Sequence, residues 1–94
     1  MGVVNIVFAS TESGGLPAFR GGALASETVT SSGIAEPSIN SAPIKCVVRI
    51  TTDTAVYART GPVAVAASGD WYILAGTTLD LVVNAGDVVS VIDA

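Results

Sequence analysis

The stretch that indicates the fold class most clearly is residues 44–52, which read IKCVVRITT. One side of this stretch is entirely apolar and carries Ile44, Cys46, Val48 and Ile50. Both charged side chains, Lys45 and Arg49, fall on the other side. Strict alternation with period two predicts a β-strand that has one face in a core and one face outside it.

Similar short runs recur along the rest of the chain. Valine, isoleucine and threonine, which favour pleated sheet, supply 30 of the 94 residues, and Gly, Pro and Asp punctuate the runs. Further strands are predicted at residues 3–8, 23–30, 54–59, 71–74, 79–84 and 88–92. Short strands between frequent turns predict an all-β fold, a small antiparallel β-sandwich or barrel of the jelly-roll or immunoglobulin-like kind.

Two connections are predicted to join neighbouring strands. Thr52 and Asp53 form a turn after which residues 54–59 return as a second strand. Residues 84–87, Asn-Ala-Gly-Asp, have the composition of a four-residue hairpin connection. The first turn places Arg49 and Arg59 on the outward faces of neighbouring strands.

The chain is expected to form a single domain over residues 1–94. Residues 44–94 are predicted to supply the core strands. Residues 1–43 are predicted to supply edge strands, loops and an extended N-terminal contact arm, because residues 10–22 are rich in Gly and Ser and residues 31–43 form a long loop with two prolines.

Composition excludes several classes of function. The chain has no histidine and one cysteine, so it offers no Ser-His-Asp or Cys-His catalytic site, no His/Cys metal site and no intrachain disulfide. Four cations against eight acidic residues are too few to follow a nucleic-acid backbone. No run approaches the roughly 20 apolar residues that span a bilayer. We therefore expect no enzyme activity, no cofactor, and neither a nucleic-acid nor a membrane partner.

The aspartates of the C-terminal half are candidates for a cation site. Asp70, Asp80, Asp87 and Asp93 supply carboxylates of the kind that calcium prefers, but their spacing fits no EF-hand loop. Asp70 and Asp87 each follow a glycine, which favours backbone hydrogen bonding in a turn. Cys46, on the apolar face, is predicted to be a buried structural thiol. We therefore predict no metal site.

The surface balance predicts assembly. Half of the residues are apolar and only 13% are charged. Val88, Val89, Val91 and Ile92 alternate sides of one strand, so they cannot all enter one core. Partner subunits that cover the excess apolar area are the favoured explanation, and a self-contained sandwich of two sheets is the alternative.

Five side chains are candidates for the contact surface. Arg49 and Arg59 are placed outward, either solvated or paired with carboxylates of another subunit. Trp71 and Tyr72 are adjacent, so one is predicted in the core and the other exposed at an interface, as aromatic residues often are. Tyr57 lies beside Arg59 on the same predicted strand and completes the set.

Five segments carry a resemblance to a known class of protein. They are residues 27–33 (ETVTSSG), 48–52 (VRITT), 56–62 (VYARTGP), 71–76 (WYILAG) and 86–92 (GDVVSVI). In type and spacing the chain from 26 to 93 resembles small β-sandwich virion proteins of tailed bacteriophages, several of which are capsid decoration (cement) proteins. Residues 1–25 match no part of that pattern.

The resemblance implies a structural virion protein that decorates and stabilises a capsid by bridging its subunits. The implied partners are the major capsid protein and further copies of the chain, as a trimer. The implied location is the outer capsid surface, after synthesis in the host cytoplasm. The alternatives are a small tail or fibre module that binds a host surface, a head–tail connector component, and an enzyme that relies on Asp, Glu, Ser or Tyr alone.

Overall fold

The computed structural model describes residues 2–10 and 24–94, and these form eight β-strands and no helix. In chain order the strands are β1 (Val3–Ala9), β2 (Ala25–Thr30), β3 (Glu36–Pro37), β4 (Cys46–Thr52), β5 (Val56–Gly61), β6 (Trp71–Ile73), β7 (Thr78–Val83) and β8 (Val88–Asp93). Residues 11–23, which hold most of the Gly- and Ser-rich loop predicted at residues 10–22, lie outside the described ranges.

The strands form two four-stranded sheets in which every pairing is antiparallel. Sheet I has the order β2-β1-β4-β7 and sheet II the order β3-β8-β5-β6. This is the strand order of an eight-stranded jelly roll in which β1 occupies the place usually held by the last strand. The predicted all-β sandwich is therefore confirmed.

The core lies between the two sheets and follows the alternation of the sequence. Its fully buried side chains come mainly from the four inner strands: Val4, Ile6, Phe8, Val48, Ile50, Val56, Ala58, Val89 and Val91. The prediction that residues 1–43 supply edge strands holds for β2 and β3 but is wrong for β1. With β2 on one side and β4 on the other, β1 is an interior strand of sheet I.

The predicted hairpin at residues 84–87 and the predicted neighbourhood of the strands on either side of Thr52 and Asp53 are both wrong, because each turn carries the chain from one sheet to the other. β4 lies in sheet I and β5 in sheet II, and the same holds for β7 and β8. The turn at residues 84–87 exists, with the Asp87 N–H donating to the Asn84 carbonyl at 3.1 Å and Gly86 at φ 88°. Arg49 and Arg59 therefore lie on the outer faces of opposite sheets and not on neighbouring strands.

The strand predicted from Ile44 begins instead at Cys46. Cys46 faces Val83, the last residue of β7, so the two residues before it have no strand to pair with on that side. The Ile44 side chain is 51% exposed, which contradicts its predicted place in the core.

One irregular segment covers part of the outer face of sheet II. Residues 62–70 follow β5, and the N–H of Ala66 donates to the Oγ of Ser90 on β8 at 2.9 Å. Within this segment Ala64 and Ala66 are buried, whereas Val63 and Val65 point to solvent. The contact explains why Ser90 is buried although Val89 and Val91, its neighbours on β8, are the residues that face the core.

Candidate functional site

The outer face of sheet II brings together three apolar or aromatic side chains in one row across three strands. Tyr57 on β5 pairs in register with Ile92 on β8 and with Tyr72 on β6. The two tyrosine rings lie 5.4 Å apart between centroids at an interplanar angle of 53°, a tilted arrangement typical of interacting aromatic pairs. We call Ile92, Tyr57 and Tyr72 the aromatic row.

Arg59 lies on the same face, two residues along β5 from Tyr57. Its Nε and Nη2 both donate to Asp70 Oδ1, at 3.0 and 2.7 Å. The other carboxylate oxygen, Oδ2, accepts the Ala67 N–H at 2.8 Å. The Ala67 amide and the Arg59 guanidinium together hold the pKa of Asp70 below its ordinary value. Asp70 thereby fastens the end of the 62–70 segment to β5.

Arg49 occupies the outer face of sheet I, away from the other cation. It faces Asp80 of β7 in register, and the Nε–Oδ1 distance is 2.9 Å. Hydrogen bonding to the Asp80 carboxylate raises the pKa of Arg49. Each of these two arginines thus has a carboxylate partner within its own chain. The sequence instead led us to expect that they are solvated or paired with carboxylates of another subunit.

The prediction that one of Trp71 and Tyr72 enters the core is wrong. Trp71 is 59% exposed and Tyr72 is 51% exposed. The reason is that β6 is a three-residue strand at the edge of sheet II. Trp71 pairs with Ala58 and so belongs to the inward face of the sheet, but it lies at the rim of the sandwich. Of the three residues of β6, only Ile73 is buried.

Further apolar side chains are exposed besides the five candidate residues. Val82 of β7 is 68% exposed on the outer face of sheet I. The sequence does indicate that Val82 points outward, since period-two alternation puts it on the same face of the strand as Asp80. The other large ones include Ile34, Ile39, Val63, Val65 and Leu74. All five lie in connecting segments, where alternation gives no direction.

Of the five candidate residues, the structure brings Tyr57, Tyr72 and Arg59 together on one face. Trp71 adjoins them along the chain but belongs to the inward side of β6. Arg49 lies on the opposite sheet. The exposed aromatic surface around β6, made of the aromatic row and Trp71, is therefore the candidate contact surface.

The aspartates weighed as a cation site are engaged separately. Asp70 and Asp80 bind arginines on opposite sheets, Asp87 Oδ2 accepts the Asn84 N–H at 2.8 Å, and Asp93 Oδ1 accepts the Ser31 hydroxyl at 2.6 Å. The turn roles predicted for Asp70 and Asp87 are confirmed. Within residues 2–10 and 24–94, no three His, Cys, Asp or Glu side chains are grouped as metal ligands would be.

Cys46 is buried on the inner face of β4, as predicted, and burial raises the pKa of its thiol.

A depression of about 560 Å³ lies between β2 and β3, with Glu27 and Glu36 in its lining. The Glu27 carboxylate accepts the N–H groups of Ile39 and Asn40 at 2.9 and 2.8 Å, so it serves to hold that loop.

No helix long and apolar enough to cross a membrane occurs in the described ranges. The chain was compared with protein-family models, with curated proteins and with solved structures, and none of the three comparisons finds a match.

Proposed function

We propose that this protein is a structural component of a bacteriophage virion that decorates the capsid and bridges its subunits. The observation that carries the proposal is the surface of the sandwich. Trp71, Tyr72 and Val82 are exposed on a small domain, while the side chains of Arg49 and Arg59 are committed to ion pairs within the chain. Such a surface favours burial against another protein.

The major capsid protein is the proposed partner. The aromatic row and Trp71 form the contact surface, because Trp and Tyr supply large contact area with few rotatable bonds. Each copy contributes a modest contact, and linked copies around a closed shell gain by multivalency. The resemblance to small virion proteins supports the same assignment.

The outer surface of the shell is the proposed location, after synthesis in the host cytoplasm. A formal net charge of −4 disfavours the inner surface, where packaged nucleic acid would repel the protein. The role requires binding and self-association only. No catalytic group, cofactor, membrane or nucleic acid takes part in it.

Co-sedimentation of the full chain with capsids that lack it tests the proposal. We expect the protein to pellet with the capsids at saturation, with copies distributed over the whole shell. Tyr72→Ala, which removes an exposed ring of the aromatic row, should weaken binding at least tenfold. Ser26→Ala, on the exposed face of sheet I, is the control and should bind as the wild type does. A protein that stays in the supernatant overturns the proposal.

A tail or fibre module that binds a host surface is the second candidate. The adjacent exposed Trp71 and Tyr72 favour it, because exposed aromatic rings suit contacts with sugars as well as with proteins. Binding of the isolated chain to host cells, without affinity for capsids, decides for this candidate. Copies confined to the single head–tail vertex of the particle decide instead for a connector.

A further inference from the structure

The sandwich has four sheet edges, and three of them carry features that prevent further strand pairing. β3 is two residues long and contains Pro37, and β6 is three residues long. β2 is longer, but Glu27 at its centre lies on the inward side and binds the amides of residues 39 and 40. Short strands, proline and inward charges are the usual protections of an edge.

β7 lacks all of these protections. It has six residues, no proline and no lysine. Its one charge, Asp80, points outward and is paired with Arg49. Outside the strand ladders, none of the backbone hydrogen bonds among the described residues reaches Thr78, Asp80 or Val82. Such an edge accepts another strand readily.

The hydrogen bonds of sheet I identify which peptide groups of β7 are free. The Asp53 N–H donates to the Val3 carbonyl, so the backbone N–H and C=O groups of odd-numbered residues in β4 point toward β1. The backbone groups of even-numbered residues in β4 then point toward β7, and the hydrogen bond from the Thr52 N–H to the Thr77 carbonyl, at 3.5 Å, agrees with this. In the register of the two strands, the even-numbered residues of β4 face odd-numbered residues of β7, whose backbone groups are therefore used within the sheet. The peptide groups at the free edge therefore belong to Thr78, Asp80 and Val82.

We propose that β7 pairs with β7 of a second copy of this chain, antiparallel and about a two-fold axis at Leu81. The two sheets I then form one continuous eight-stranded sheet. Asp80 and Val82 of one copy exchange hydrogen bonds with Val82 and Asp80 of the other. Leu81 faces its own copy at the close, non-hydrogen-bonded position, where side chains approach best.

The two-fold axis leaves few registers, and Leu81 is the best of them. Because paired residues share a face, the axis must pass through a residue and not between two. An axis at Asp80 sets two carboxylates opposite each other, which is destabilising. An axis at Leu79 leaves residues 81–83 beyond the partner strand, and an axis at Val82 pairs only residues 81–83 of each copy. The axis at Leu81 pairs residues 79–83 of both copies and brings the exposed Val82 side chains near each other.

Apolar side chains beside the edge favour a second copy as the occupant. β2 and β3 contact each other on one side of the sandwich, so β6 and β7 share the other side. Trp71 and Leu74, both exposed, therefore flank the β7 edge in the second sheet. A two-fold contact gathers two sets of these side chains at one seam. It gives a dimer, whereas the resemblance implied a trimer.

The inference deepens the self-association within the proposed function and rests on it. Sedimentation equilibrium of the full chain in the absence of capsids tests it separately from capsid binding. The wild type should have twice the chain mass of 9.4 kDa. Val82→Asp sets carboxylates opposite Asp80 in both halves of the contact and should reduce the mass to that of one chain. Val82→Lys sets an ammonium opposite Asp80 and should keep the dimer.

The control is Ser26→Asp, which adds the same charge at an exposed position of the other long edge strand, β2, and should stay dimeric. Hydrogen exchange adds a register-specific readout, because the Asp80 and Val82 amides should be protected in the wild type and exposed in Val82→Asp. A monomeric wild type overturns the inference. So does dissociation by both Val82 variants, since that indicates an apolar contact without strand pairing, and so does a trimeric mass. Capsid binding by a monomeric wild type would overturn this inference alone and leave decoration standing.

Discussion

Arg49 and Asp80 face each other across β4 and β7, and two hydrogen bonds join them, Nε to Oδ1 at 2.9 Å and Nη2 to Oδ2 at 3.0 Å. The pair is about half exposed, so its own contribution to folding is small. Its larger consequence concerns the edge. The only charged side chain of β7 is neutralised by the neighbouring strand, and the edge can therefore accept another strand without burying an unpaired charge.

Replacement of Arg49 by Ala should separate folding from assembly. The free energy of unfolding should change little, because exposed ion pairs contribute little. Self-association should weaken, because Asp80 is then an unpaired charge at the contact. Urea denaturation and sedimentation equilibrium measure the two effects. Arg59→Ala removes a cation from the opposite sheet and should keep the wild-type mass; equal weakening by both variants contradicts the assignment to β7.

Replacement of Ile50 by Asp should destabilise the whole sandwich. Ile50 is fully buried on β4, between Ile6 of β1 and Leu79 of β7. An unpaired carboxylate at that position should cost at least about 3 kcal/mol of unfolding free energy. Thr51→Asp, one residue along on the outward side, is the matched control and should cost much less. Thermal melts that are the same for both variants refute the face assignment of β4.

The contact between Ser90 and Ala66 should fasten the 62–70 segment to sheet II. Ser90→Ala leaves the buried Ala66 N–H without its acceptor, which should cost about 1–3 kcal/mol. Exchange of the Ala66 amide hydrogen should also become faster. Ser26→Ala, at an exposed position, should change neither quantity. An unchanged exchange rate at Ala66 would show that the segment is held by other contacts.

Acid should release the C-terminal end of the 62–70 segment, where Asp70 binds Arg59. Because the pKa of Asp70 is below the ordinary 3.8 in the folded protein, its stabilising contribution is complete above that value. It is lost as the pH falls through the lower folded value, where the carboxylate gains a proton and its bond to Arg59 weakens. The fluorescence of Trp71, the single tryptophan, reports the change. Asp70→Asn should remove this transition, and a transition that persists in that variant assigns it to another group.

The sequence predicted the strands well because period-two alternation reflects burial directly. Cys46, Val48 and Ile50 lie on the inner face as expected, and so do Leu79 and Leu81, which are partly covered. Alternation states which side of a strand is apolar, but it does not state which strand lies beside it. For that reason the two turns predicted to join neighbouring strands are crossings between the sheets, and Arg49 and Arg59 lie on opposite sheets.

The candidate surface was predictable in its residue types and not in its geometry. The sequence indicates Tyr57 and Tyr72 as candidate contact residues, but their pairing depends on a register between β5 and β6 that local sequence does not specify. Trp71 has inward parity and is nevertheless exposed, because coverage of an edge residue depends on how far the opposite sheet extends. The pairing of Asp70 and Asp80 with arginines could not be predicted either, because it depends on which segments lie side by side in the fold.

Burial of the exposed apolar side chains in the assembled state is the central claim, and hydroxyl-radical footprinting measures it directly. The full chain is labelled first at high dilution and then bound to capsids, and oxidation is quantified at Trp71, Tyr72 and Leu74. The account predicts at least a fivefold slower reaction at these side chains in the particle. Equal reaction rates in the free and bound states would contradict it.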